Sequence, residues 1–305
     1  MKNLFFFALA LMLSFSLSAQ VASTSAVTID DESNSNIIDV YQFSYFDLNS
    51  TVDVLDESDD NIVSVFQSGD THVSSVYIND ASDENLVIVT QDDFGFGGGN
   101  LSSVSADNSS DGNYVNVFQA FSDNTSSVVL DHDADNNEVI IYQDDLAVAF
   151  VGGNESEVLI DDSNGNYVEV DQQEDFNSST VEITDGSDDN EVIVVQAPAW
   201  YTGSDGTDNA STVAISDESS DNFVYVFQDG WSQISEVTID DDSSDNYVDV
   251  LQTDSYLTLG GNDSSVTIEN ESSNNEVIIT QDFLGLSTVV ISNESNLNVV
   301  NVTQE

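Results

Sequence analysis

Carboxylates are the side chains through which this chain could do chemistry. Asp31, Asp56 and Asp80 recur at separations of 25 and 24 residues, and a column of such groups would hold cations between its members or bind protons more tightly than usual. The acidic string from Asp131 to Glu138 offers calcium-ligand chemistry, but it lacks the glycine and closing Glu of an EF-hand loop. His72 and His132 have no Cys or second His beside them to complete a zinc site, and read as surface or column-edge histidines. Ser is too common to mean catalysis, and no nucleophile elbow accompanies it. The glycine run ending at Asn100 has neither a following helix nor a Lys to make it a phosphate loop. No catalytic residue is therefore assigned, and the one cofactor expectation is calcium or another cation screening the acidic turns.

The elements that must position those carboxylates are visible through repetition. Eleven times an Asn is followed six residues later by a Gln, with aliphatic residues at the second and fourth positions between them. The pairs are Asn36 and Gln42, Asn61 and Gln67, Asn85 and Gln91, Asn113 and Gln119, Asn137 and Gln143, and Asn166 and Gln172. They continue with Asn190 and Gln196, Asn222 and Gln228, Asn246 and Gln252, Asn275 and Gln281, and Asn298 and Gln304. Period-2 alternation sends Asn, both aliphatics and Gln to one face of a strand. A second alternating stretch precedes each one, as in SSVTIE at Ser264; its Ser lies eleven residues before the Asn in ten copies and ten before it at Ser156. Between the two stretches runs a polar segment rich in Asp, Asn, Ser and Gly, the residues that make tight turns. Each unit thus reads strand, turn, strand.

A repeat of this kind predicts one elongated array rather than two or three separate domains. The fold class expected is all-β: a β-solenoid of stacked strand-turn-strand repeats with two parallel, in-register sheets. Buried Asn and Gln are costly alone, but identical amides stacked one per rung can bond along the axis. These 22 amides form the expected core ladder. Asp31, Asp56 and Asp80 have inward parity near the turn and are expected to form a short carboxylate column, the candidate cation site.

Residues 1–19 resemble a secretory signal, with Lys2 before an apolar stretch and a small residue at Ala19; residues 20–24 form a short N-terminal segment and 25–304 the eleven repeats. The chain has no Cys, so stability is expected from packing and backbone hydrogen bonds. Its 58 Asp and Glu face a single basic residue, Lys2, for a formal net charge of −57. Such a surface repels nucleic acid and anionic lipid, and no apolar run beyond the signal is long enough to insert in a membrane. Every second connection between units is longer, and the bulky insertions there include Trp200 and Tyr201; with Trp231 in a short connection, these rings are expected to cover the end of the core.

With Ser, Asn and Gln at positions 1, 12 and 18 of a unit of about 23 residues, and aliphatics alternating between them, nearly the whole chain from Ser23 to Gln304 resembles curlin repeats. These are the units of curli, the functional amyloid fibres of bacterial biofilms. It is an acidic variant, with Asp, Asn or His at position 7 where the family has Gln. The resemblance implies a secreted subunit that polymerises head to tail into extracellular fibres for biofilm matrix or adhesion, with itself and curli-type secretion and nucleation proteins as partners. Low charge on the first and last units accords with that, because charge on edge strands blocks strand addition. The alternative is a monomeric acidic β-solenoid acting as a surface adhesin or as a ligand- or calcium-binding protein.

Overall fold

The computed structural model describes residues 23–30, 32–44, 47–93, 98–121, 123–144, 152–197, 208–253 and 261–304. The signal segment, Asp31, Trp200 and Tyr201 lie outside them. Val, Ile and Thr prefer the extended backbone because branching at Cβ stiffens the side chain, and the alternating stretches form strands throughout. The rungs pair β1 (Thr24–Ile29) with β2 (Ile37–Phe43), β3 (Asn49–Val54) with β4 (Ile62–Ser68), β5 (Val73–Ile78) with β6 (Leu86–Asp92), and β7 (Leu101–Ala106) with β8 (Tyr114–Ala120). They continue as β9 (Thr125–Asp131) with β10 (Glu138–Asp144), β11 (Glu155–Asp161) with β12 (Tyr167–Gln173), and β13 (Ser178–Ile183) with β14 (Glu191–Ala197). The last four are β15 (Ala210–Ile215) with β16 (Phe223–Asp229), β17 (Ile234–Ile239) with β18 (Tyr247–Thr253), β19 (Asp263–Ile268) with β20 (Glu276–Asp282), and β21 (Leu286–Ile291) with β22 (Val299–Gln304).

Odd strands form one 11-stranded sheet and even strands another, each in simple sequence order. All pairs are parallel and in register, Val52 opposite Val76 and Gln143 opposite Gln172. The chain is therefore a two-sheet β-solenoid, and at ~4.8 Å per strand its eleven rungs span roughly 50 Å. Between the sheets lies a dry core built from two aliphatics per strand, such as Val52, Val54, Val63 and Val65, all at most 1% exposed. Fully burying one such side chain contributes about 1.5–3 kcal/mol before chain entropy is subtracted.

The turns explain the polar composition. Between the two strands of a typical rung, two consecutive residues adopt left-handed backbone, as at Asp56 and Glu57 (φ +51° and +63°), and a third does so just before the Asn, as at Asp60 (φ +56°). Asp, Asn and Gly tolerate that region best. The shortened unit beginning at Ser156 spends one left-handed residue, Asp162, where its neighbours spend two, and so keeps its place in the stack. Turn backbones also bond along the axis, Ala81 N–H to Asp56 C=O at 2.8 Å and Ser109 N–H to Asp80 C=O at 2.9 Å.

Candidate functional site

Columns of polar side chains stack along the solenoid, each made by one position of the repeat. In the first, each Gln donates from Nε2 to the Oε1 of the Gln in the next rung, at 2.8–3.0 Å in all ten links from Gln42 to Gln304. The same Nε2 reaches across to a backbone carbonyl of the facing sheet, Gln67 to Asn49 at 3.0 Å and Gln228 to Ala210 at 2.9 Å, tying the two strands of one rung together. The strand Ser column lies buried beside it; Ser264 Oγ is 3.3 Å from Gln252 Nε2. A larger residue there would fill the space through which the amide crosses.

The Asn ladder has the opposite sense. The backbone N–H of each Asn donates to Oδ1 of the preceding one, and from Asn113 onward Nδ2 does so too, as from Asn137 to Asn113 at 2.8 and 3.1 Å and from Asn298 to Asn275 at 2.9 Å for both. A third column stands inside the turn, where Ser Oγ accepts the N–H of the next rung's Ser: Ser58 from Ser82 at 3.2 Å, Ser219 from Ser243 at 3.0 Å. Ala134 breaks it, since it has no hydroxyl to offer Ser163.

Sequence reasoning overlooked two columns. One is a second amide ladder at the other corner of the rung, two residues before the strand Ser: Asn100, Asn124, Asn154, Asn177, Asn209, Gln233 and Asn262, each at most 1% exposed. Asn124 N–H donates to Asn100 Oδ1 at 3.0 Å, Asn154 N–H to Asn124 Oδ1 at 3.0 Å, and Asn262 N–H to Gln233 Oε1 at 3.2 Å. Its signal was the recurring Asn-x-Ser triplet, which bulk composition alone also produces. His72 belongs to this column rather than to the surface: it is fully buried, accepts the Asn100 N–H at Nδ1 (3.1 Å), and approaches Ser68 C=O with Nε2 (3.0 Å), which makes it the neutral Nε2–H tautomer. Burial holds its pKa below the usual histidine value, partly offset by the Ser68 carbonyl and by Asp93, Asp92 and Asp70.

The other overlooked column is the true carboxylate stack. Asp59, Asp83, Asp111 and Asp135 occupy four consecutive rungs beside the turn Ser, and each carboxylate accepts the backbone N–H of the residue before it in the stack, Asp83 to Asp111 at 2.6 Å and Asp111 to Asp135 at 2.7 Å. Burial pushes the Asp111 carboxyl above the usual range; the Asp83 N–H pulls it back, while Asp135, Asp83 and Glu84 add to the rise. Further along, Asn164, Asp188, Ser220 and Ser244 take the same role with less charge.

The expected inward column is corrected. Asp56 and Asp80 are exposed and, with Glu32, Glu57 and Ala81, line an open groove outside the turns. The inward alternation stops at Val54, and the two left-handed residues that follow throw the side chains outward. His132 is exposed as expected, its Nδ1 2.7 Å from Asp161 and 3.3 Å from Asp131; the Asp161 hydrogen bond raises its pKa. Those three residues, and separately Asp217, Asp240 and Asp241, bring ligand atoms within 4.8 Å of one another. Among the described residues, no helix is long and apolar enough to cross a membrane.

The ends differ from the middle. The inward apolar residues of β1 are exposed, Val27 at 48% and Ile29 at 46%, and those of β2 and β22, Ile38, Val40, Val300 and Val302, are only half-buried. Fold and columns together define a two-sheet β-solenoid with hydrogen-bonded amide ladders, whose first and last rungs have no further rung beside them among the described residues. No protein-family model, no curated protein and no solved structure matches the chain.

Proposed function

We propose that this chain is an exported structural subunit, of the curlin type it resembles, that polymerises end to end into extracellular fibres serving as biofilm matrix or adhesive material, with curli-type secretion and nucleation proteins as its partners. The observation that carries this reading is the complementarity of the two ends. Among the described residues, the N–H of Asn36 and the Oε1 of Gln42 at the first rung have no earlier rung to pair with, and Asn298 Oδ1 and the second hydrogen of Gln304 Nε2 at the last have no later one. A second copy stacked head to tail supplies each missing partner in the geometry that the ten internal links already use. It also covers the apolar residues left open at both ends, and strand addition to an exposed sheet edge is the usual outcome where charge does not block it.

Electron microscopy with X-ray fibre diffraction of the secreted chain tests the proposal. Fibres with a meridional spacing of about 4.8 Å are expected. Removing residues 287–305 deletes β22 and all but the first residue of β21, exposes a new edge and is expected to slow elongation. A chain that stays monomeric across salt and pH would overturn the proposal.

A further inference from the structure

The outward face of the even-numbered sheet carries a row that the ladders do not use. Register aligns Tyr114 on β8, Glu138 on β10, Tyr167 on β12, Glu191 on β14 and Phe223 on β16, so aromatic rings and carboxylates alternate rung by rung. Tyr167 Oη donates to Glu169, two residues along its own strand, at 2.7 Å, which lays the long axis of the ring along the strand. Phe223 stacks on Tyr247 of the next rung at 5.1 Å and 6°, so its other face looks toward Glu191. Rings two rungs apart, about 9.6 Å at ~4.8 Å per strand, therefore wall a slot with an exposed Glu between them.

We propose that these slots bind alkylammonium groups, the principal one lying between Tyr167 and Phe223 over Glu191 and the second between Tyr114 and Tyr167 over Glu138. An ammonium midway in a slot sits one rung, about 4.8 Å, along the axis from each aromatic residue, inside the roughly 6 Å over which cation–π attraction acts. The carboxylate supplies the counter-charge, and the methylenes beside the nitrogen contact both rings. Charge complementarity favours such a guest, because Lys2 is the only Lys or Arg and no cationic side chain of the repeats competes for Glu138 or Glu191. Burial, then the hydrogen bond to Glu169 and the charges of Glu169, Glu138 and Glu191, push the Tyr167 hydroxyl pKa up to about 12. A hydrated inorganic cation would gain from the carboxylates but little from the rings. The site is independent of end-to-end polymerisation, since a single chain presents the whole row.

Calorimetric titration of the full chain with spermidine at constant ionic strength tests the assignment, with magnesium as the inorganic comparison. Tyr167→Val removes the wall shared by both slots and is expected to weaken spermidine binding roughly tenfold while leaving magnesium uptake unchanged. The isosteric pair Glu138→Gln and Glu191→Gln should weaken it at least as much, whereas Glu236→Gln on the opposite sheet should not. A lysine-rich peptide forms the last arm: tighter binding than spermidine assigns the ammonium to a protein partner, and the reverse order assigns it to a free polyamine. Spermidine affinity unchanged by Tyr167→Val and by the Gln pair, or lowered equally by Glu236→Gln, would overturn the site and leave only diffuse counterion attraction.

Discussion

Gln143 Nε2 lies 2.8 Å from Gln172 Oε1, although 29 residues of chain separate them. Neighbouring links span 24 residues at the same distance. The ladder thus sets the register, and the connections absorb whatever length remains.

Gln172→Leu keeps the volume and removes the amide. It leaves Gln143 Nε2, Gln196 Oε1 and the Glu155 carbonyl short of a partner. Orphaned buried groups cost about 1–3 kcal/mol each when solvent cannot reach them, so a loss of roughly 3 kcal/mol in urea unfolding is expected. Gln304→Leu, at the half-buried last rung, is expected to cost under about 1 kcal/mol.

His72 confers a pH dependence with a definite sign. Its folded pKa lies below the unfolded one, so the unfolded chain binds more protons and stability rises with pH. The penalty for protonation appears as pH falls below about 6.5 and grows toward the folded pKa. His72→Asn supplies the amide that the rest of the column uses. The difference in melting temperature between variant and parent should therefore widen between pH 7 and pH 5, and a constant difference would count against the assignment.

Asp111 works the other way. Its raised pKa means the folded chain binds its proton more tightly than the unfolded one, so ionisation destabilises the fold and stability is recovered as pH falls through the folded value. Asp111→Asn mimics the neutral form and keeps an oxygen for the Asp83 N–H. It is expected to raise the melting temperature at pH 7 in low salt. The gain should shrink toward pH 4, and in ~0.5 M salt, where screening acts within a few Å.

Leu297 occupies the left-handed position that Asp, Asn, Gly, Glu or Ser fills in the other rungs, with φ +61°. A residue with a bulky side chain pays about 1–2 kcal/mol there. Leu297→Asn is expected to recover about 1 kcal/mol locally, read as slower amide exchange in β22.

The solenoid, its parallel register and the Asn and Gln ladders were legible because each rests on one residue type at one position, from Asn36 and Gln42 onward. The second amide ladder was not, because His72, Gln233, Leu48 and Gly285 share its position with the Asn residues and blur the pattern. Asp56 shows a different limit. Alternation extrapolated past Val54 turns it inward, but left-handed backbone resets parity, and nothing in the spacing of apolar residues reports φ.

The amide columns do not all point the same way. Gln side chains direct their N–H groups toward the last rung, whereas both Asn ladders direct theirs toward the first. Side-chain amides are dipoles, and columns aligned in one sense would sum along the axis as peptide units do in a helix. Here one Gln ladder opposes two Asn ladders, so the amide dipoles cancel in part and add less field at an end than three aligned columns would. In the filament proposed above, the amide columns would therefore add little to the repulsion that the net charge of −57 per chain already imposes.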